Sequence, residues 1–238
     1  MLATALIPRR IPSMATPGAR RLARAVTLAV VAGLLALTGC YHGSLYAKRP
    51  ADADLDHEIT RMWVAEIQRV AHDGDWVLGR SLVWQGDAIV TLTTGEEFSH
   101  AGMIDVSRGT IVEATTPAVQ EVPLEVFVQR YRYIAIVHPT GATDADGRAA
   151  LEIIRSQLGA RFDTWGMAGF DQPDRWYCSE LVYWASGLEA RFGRQAVLVP
   201  NELLDFGEVT YFSGRRDDAQ IQAIAAARMA RGHDLARN

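Results

Sequence analysis

Apolar residues recur at helical spacing from 55 to 70: Leu55, Ile59, Met62, Trp63, Ile67 and Val70 share one face. Asp54 or Asp56 is the candidate cap of this helix, and Gly74 within "HDGDW" its stop. The period then shortens to two. A Gly86-Asp87 turn leads into a β-rich run at 88–92. "SHAGMIDVSRGTIVEAT" reads as a hairpin, with strands near 101–106 and 110–114 and a turn about 107–109. "VQEVPLEVFVQRY" is mixed, whereas "YRYIAIVHP" is a buried strand ended by Pro139. "TDADGRAALEIIRSQLG" is amphipathic: Thr143 or Asp144 caps it, Leu151, Ile154 and Leu158 share a face, and Gly159 stops it. "CSELVYWASGLEARFG" predicts a further helix and "EVTYFSG" a closing strand. Strands come in adjacent blocks rather than in strict alternation with helices. That order predicts an α+β fold with an antiparallel sheet.

The first 39 residues break this pattern. They hold five arginines (Arg9, Arg10, Arg20, Arg21, Arg24) and no acid, followed by the uncharged run "AVTLAVVAGLLALTGC". A basic segment, a short apolar segment and small residues before a cut site predict an export signal over 1–39. Met14 offers an alternative start with a shorter signal. Leu37-Thr38-Gly39-Cys40 resembles the lipobox of bacterial lipoproteins, which implies that Cys40 becomes the lipidated N-terminus. Tyr41 rather than Asp after the cysteine would, in a Gram-negative host, favour the outer membrane. Residues 40–53 are then a polar tether, and 54–238 a single domain of the cell envelope.

Charge changes once the signal is set apart. The 24 basic residues less those five leave 19 against 28 acids, a formal charge of about −9. Such a balance excludes nucleic acid as a partner, because phosphate binding needs a basic surface. The six histidines are scattered and no cysteine–histidine cluster has metal-ligand spacing, so neither metal nor cofactor is expected. The expected partners are the membrane, through lipid on Cys40, and an envelope substrate.

The chain has two cysteines. With Cys40 carrying lipid, Cys178 has no partner for an intrachain disulfide. It lies where loop becomes helix in "RWYCSELVYWA". Backbone N–H groups and the positive end of the helix dipole lower a thiol pKa at that position and can receive an oxyanion. Tyr177 and Ser179 flank the thiol, and both are candidate substrate or oxyanion contacts. A nucleophilic thiol needs a base. His42 falls in the tether, His233 near the C-terminus, and His57 and His72 on or beside the first helix. His100, with Ala101 and Gly102 leaving room beside it, is the candidate, and His138 is its rival. If the turn spans 106–109, Glu113 falls opposite Gly102 and on the face of His100. A slip of one residue turns Glu113 away and makes Asp105 the orienting acid.

"GDAIV", "FSHAGMID", "VEAT", "LGARFD" and "YCSELVYWA", in that order, resemble the YaeF/YiiX group of permuted papain-like amidases. That group belongs to the circularly permuted branch of the NlpC superfamily and is related to lecithin retinol acyltransferase-like enzymes. The resemblance covers about Gly86 to Pro200. It implies a permuted papain-like fold, an antiparallel sheet packed against helices that carry the cysteine. The histidine strand precedes the cysteine helix, as permutation requires. It further implies Cys178 as nucleophile, His100 as general base, Glu113 as orienter and Tyr177 as a site neighbour, with no catalytic role for Asp87. The implied activity is hydrolysis of an amide, cell-wall peptides being the first substrate class. Acyl hydrolysis or transfer on lipid is the alternative, and a non-catalytic ligand-binding lipoprotein is the competing class.

Overall fold

The computed structural model describes residues 49–82 and 97–235. The signal segment, Cys40, Gly86-Asp87 and the expected strand at 88–92 lie outside the described residues. The described residues fall in one compact unit, Leu45–Asn238.

Helix α1 spans Ala53–Val70. Its cap is Asp52, whose side chain accepts the N–H groups of Asp54 and Leu55. Asp54 and Asp56, the expected caps, instead sit in the first turn, where their charge opposes the helix dipole favourably. Ile59, Trp63 and Ile67, at i and i+4 spacing, are its buried face. Gly74, with φ of +88°, shapes the turn into β1 (Trp76–Ser81).

The hairpin forms as the pattern predicts: β2 is His100–Asp105, β3 is Thr110–Ala114, and Asp105 pairs with Thr110. The mixed stretch resolves into β4 (Val119–Pro123) and the short helix α2 (Leu124–Gln129). Then follow β5 (Tyr131–Pro139) and α3 (Asp144–Arg155), the latter closed by a reciprocal capping box between Thr143 and Asp146. Leu158 lies beyond α3 and is exposed, so it does not share the buried face of Leu151 and Ile154. A small parallel pair, β6 (Arg161–Phe162) and β7 (Arg175–Trp176), precedes α4 (Cys178–Ala185). The expected single helix from Cys178 onward is broken at Gly187, whose φ of +71° ends α4 and starts α5 (Leu188–Phe192). Strand β8 (Gly207–Phe212) and helix α6 (Ala219–Leu235) are the last elements among the described residues.

The main sheet has six strands in the order β4-β3-β2-β1-β5-β8, and every neighbouring pair is antiparallel. Alternate residues feed two cores, as the period of a strand demands. Trp76, Leu78, Ala101, Met103, Val112 and Ala135 pack against α3 and α4. Val77, Ile104, Ile111, Ile134 and Ile136 pack against α1, α2 and α6. The fold is therefore α+β, a sheet with helices on both faces, and α4 brings Cys178 to one of them.

One buried cation ties the second core together. Arg216, fully buried, donates to the Asp56 side chain and carbonyl, to Thr60 Oγ1, and to the carbonyls of Val128 and Tyr131. Its guanidinium lies 4.7 Å from the centre of the Trp63 ring. With so many acceptors, the desolvated charge is matched on most of its N–H groups.

Candidate active site

Strand β2 starts at His100, opposite Gly79 of β1. The segment before it is pinned from two sides: Ser99 N–H donates to the Gly79 carbonyl, and Phe98 N–H to Asn201 Oδ1. Glu113 sits one register step beyond the Met103–Val112 pair, which places it opposite Gly102. Its Oε2 is 2.7 Å from His100 Nε2. Its other oxygen, Oε1, accepts from Arg130 Nη2 at 2.7 Å and from Gln120 Nε2 at 2.9 Å. The carboxylate is fully buried. Burial alone would push its pKa up, but the bonds and charges of His100 and Arg130 outweigh burial and lower it to about 2.

The His100 ring is stacked on Tyr131, with centroids 5.8 Å apart and planes 16° from parallel. Gly79 makes room for that wall, since a Cβ there would lie 2.5 Å from the Tyr131 ring. Arg216 holds the Tyr131 carbonyl from behind. The imidazole is thus fixed by an aromatic face and by a carboxylate that has its own cation.

Cys178 opens α4 and is 7% exposed. With His100 Nε2 committed to Glu113, Nδ1 is the nitrogen available to the thiol. Burial raises the thiol pKa. The charge and hydrogen bond of His100, then the backbone N–H groups of Ala101 and Ser179, reverse that and lower it below the ordinary value. The imidazole responds in kind. Burial lowers its pKa, while the sulfur and Glu113 raise it to about 10. The arrangement favours a thiolate–imidazolium pair, held between a carboxylate and a helix start.

The family of permuted papain-like amidase enzymes, YaeF/YiiX (C92), matches residues 70–201. The chain belongs to this family. No curated protein matches it. Among solved structures it is similar to "metalloprotein yiiX" from Escherichia coli O157:H7, with 20% identity and a TM-score of 0.47. That likeness covers 58% of this chain and 94% of the other.

In this C92 chain the other candidates fall in distinct places. Tyr177 lines the cavity in front of the thiol, and its hydroxyl accepts the Leu198 N–H at 2.9 Å. The Ser179 hydroxyl donates to the Leu198 carbonyl at 2.6 Å, so this residue meets the sulfur through its backbone N–H alone. Asp105 lies at the far end of β2 and pairs with Arg155 at 2.6 Å, away from His100. His138 pairs with Asp75 and plays no part beside Cys178. Cys40 is outside the described residues.

Sequence reasoning missed Gln120 and Arg130. They belong to the stretch it read only as mixed, and a carboxylate in an otherwise apolar strand was the signal that partners had to exist. The cavity measures about 500 Å³ and is lined by Ala114, Phe162, Met167, Val197 and Pro200 among others. Among the described residues, no Asp, Glu, Lys or Arg lines it. Of the apolar side chains close to Cys178 in sequence, Met167 lines it, whereas Phe170 is exposed. Trp176 and Trp184 pack on each other at a tilt of 34°, with ring centroids 4.6 Å apart, against the first core.

Proposed function

We propose that this chain is a thiol-dependent amide hydrolase in which Cys178 is the nucleophile, His100 the general base and Glu113 its orienter. The observation that carries the reading is the hydrogen-bonded run from a buried, ionised carboxylate through an imidazole to a thiol at a helix start. The Cys178 sulfur attacks the carbonyl carbon, and the electron pair of the C=O bond moves to oxygen, where backbone N–H groups at the start of α4 receive it. The tetrahedral adduct collapses as the imidazolium protonates the departing amine. Water, losing its proton to His100, then attacks the thioester, and the acid leaves with Cys178 restored. Cys178→Ser and His100→Ala are each expected to abolish turnover of peptide amides and acyl esters. Unchanged turnover in either variant removes the proposal.

The substrate class we place first is an amide of cell-envelope peptides, reached by a domain anchored through lipid on Cys40. Membrane fractions from cells expressing Cys40→Ala should be depleted of the protein; equal partitioning would sink the anchor. A specific observation supports lipid acyl groups as the second reading: the cavity before the thiol exposes mainly apolar surface, and among the described residues no Asp, Glu, Lys or Arg lines it. Mass spectrometry of Cys178 after incubation with envelope extract separates the two. A peptide adduct supports the first and a fatty-acyl adduct the second. A thiol that stays unreactive until strongly alkaline pH would favour a non-catalytic binding protein.

A further inference from the structure

At the end of the sheet opposite His100, β1 and β5 bring together three side chains that the hydrolase reading does not use. Trp76 pairs with Val137, so Asp75 and His138 lie side by side. The turn after α1 returns His72 to the same place: its N–H donates to Asp75 Oδ2 at 2.9 Å, and its carbonyl accepts the Asp75 N–H at 3.1 Å. The Asp75 side chain is 1% exposed. His138 Nδ1 is 2.7 Å from Asp75 Oδ1, and His72 Nδ1 is 3.8 Å from Asp75 Oδ2. The two rings meet edge to face, centroids 5.5 Å apart. One donor atom from each of the three residues lies within 4.8 Å of the others.

Two features mark this as more than a hydrogen-bonded clamp. First, 3.8 Å is too long for a hydrogen bond, yet His72 directs its nitrogen at a carboxylate already engaged by its own N–H. Ligand atoms around a tetrahedral metal with bonds of about 2.0–2.1 Å stand about 3.3 Å apart, and the two imidazoles lie on either side of that spacing at the two oxygens of one carboxylate, 2.7 Å from Oδ1 and 3.8 Å from Oδ2. Second, His138 faces acceptors with both nitrogens, because Nε2 is 3.3 Å from the Ala142 carbonyl. A neutral imidazole carries one N–H and cannot donate to Asp75 and Ala142 together. A cation on Nδ1 removes the conflict: Nε2–H donates to the carbonyl, the outer-shell bond that orients a metal-bound histidine. A second proton on the ring would remove it too, and experiment separates the two.

We infer that His72, Asp75 and His138 bind a divalent transition metal of the zinc type through two imidazole nitrogens and one carboxylate. Nitrogen-rich ligands of this kind suit zinc rather than magnesium or calcium. The site opens to solvent on the His72 side, where the side chain is 58% exposed, leaving a coordination position for water. It is separate from the thiol. Asp75 is bonded through its carbonyl to Ile104 N–H, four residues along β2 from His100, or about 13 Å at strand spacing. A metal here cross-links the α1–β1 turn to the end of β5, and its role is structural.

The test uses Zn²⁺ and protein carrying Cys178→Ala, because a Cys–His pair at the active site would itself take zinc. Calorimetric titration near neutral pH is expected to give one Zn²⁺ per chain at this site and a melting temperature that rises with Zn²⁺. Adding His72→Ala, a change at an exposed side chain, should weaken binding at least tenfold and abolish the rise. Asp75→Asn, which keeps the shape of the carboxylate, should do the same. In the otherwise native protein His72→Ala should leave turnover unchanged. Equal zinc stoichiometry and affinity with and without His72→Ala overturns the proposal. So does a melting temperature that ignores Zn²⁺ and rises only on acidification, which would identify a doubly protonated His138 instead.

Discussion

Replacing Glu113 with Gln keeps the size and shape of the side chain but removes the charge on which the proposed triad depends. Glu113 supplies His100 with one short charge-assisted bond of 2.7 Å from a fully buried position. Bonds to charged groups are worth about 1.5–3 kcal/mol, which at about 1.4 kcal/mol per pKa unit lowers the His100 pKa by ~1–2 units. In the parent enzyme that pKa is raised to about 10. The pH profile of kcat/KM should therefore lose its alkaline limb ~1–2 units earlier in the variant. The thiol should lose stabilisation in step, so its thiolate absorbance in the ultraviolet should appear at higher pH than in the parent. Turnover at neutral pH should fall by roughly 10–100-fold, the same free energy expressed as a rate. An alkaline limb and a thiolate titration that both stay where the parent has them would refute the claim that Glu113 holds the imidazolium.

The same carboxylate governs acid stability. Its folded pKa of about 2 lies below the ordinary 4.5, so its contribution is present above pH 4.5 and lost as pH falls toward 2; Glu113→Gln should flatten that part of a urea-unfolding pH series. Gly79→Ala drives a methyl to within 2.5 Å of the Tyr131 ring, and should cost about 1–3 kcal/mol in chemical denaturation and lower kcat by shifting the wall behind His100. Arg216→Met removes a fully buried cation, leaves the carbonyls of Asp56, Val128 and Tyr131 without it, and leaves the Asp56 carboxylate with Arg49 as its remaining cation. Breaking a buried pair in this way costs about 3–5 kcal/mol, readable as a lowered urea midpoint. Tyr177→Phe strands the Leu198 N–H in a buried setting and should cost about 1–3 kcal/mol in the same assay.

What was legible in the chain was local. The hairpin register followed from the turn at 106–109, because a strand's period of two assigns every side chain to a face once one pair is set. That placed Glu113 opposite Gly102 and beside His100. The capped helices and the loop-to-helix position of Cys178 are likewise short-range properties. Strand β1 escaped notice because "WVLGRS" lies near the centre of the sheet, buried on both faces, and shows no polar alternation. Helix α6 escaped because its run of alanines carries little periodic contrast.

Other features were decided by tertiary structure alone. Gln120 and Arg130 reach Glu113 from β4 and the end of α2, and Arg216 reaches Asp56 across 160 residues of chain. His138 meets Asp75 from 63 residues away. Side-chain period and backbone capping depend on neighbours in sequence. The matching of a buried charge depends on which distant elements the two cores bring within hydrogen-bond reach, and no spacing in the chain encodes that distance.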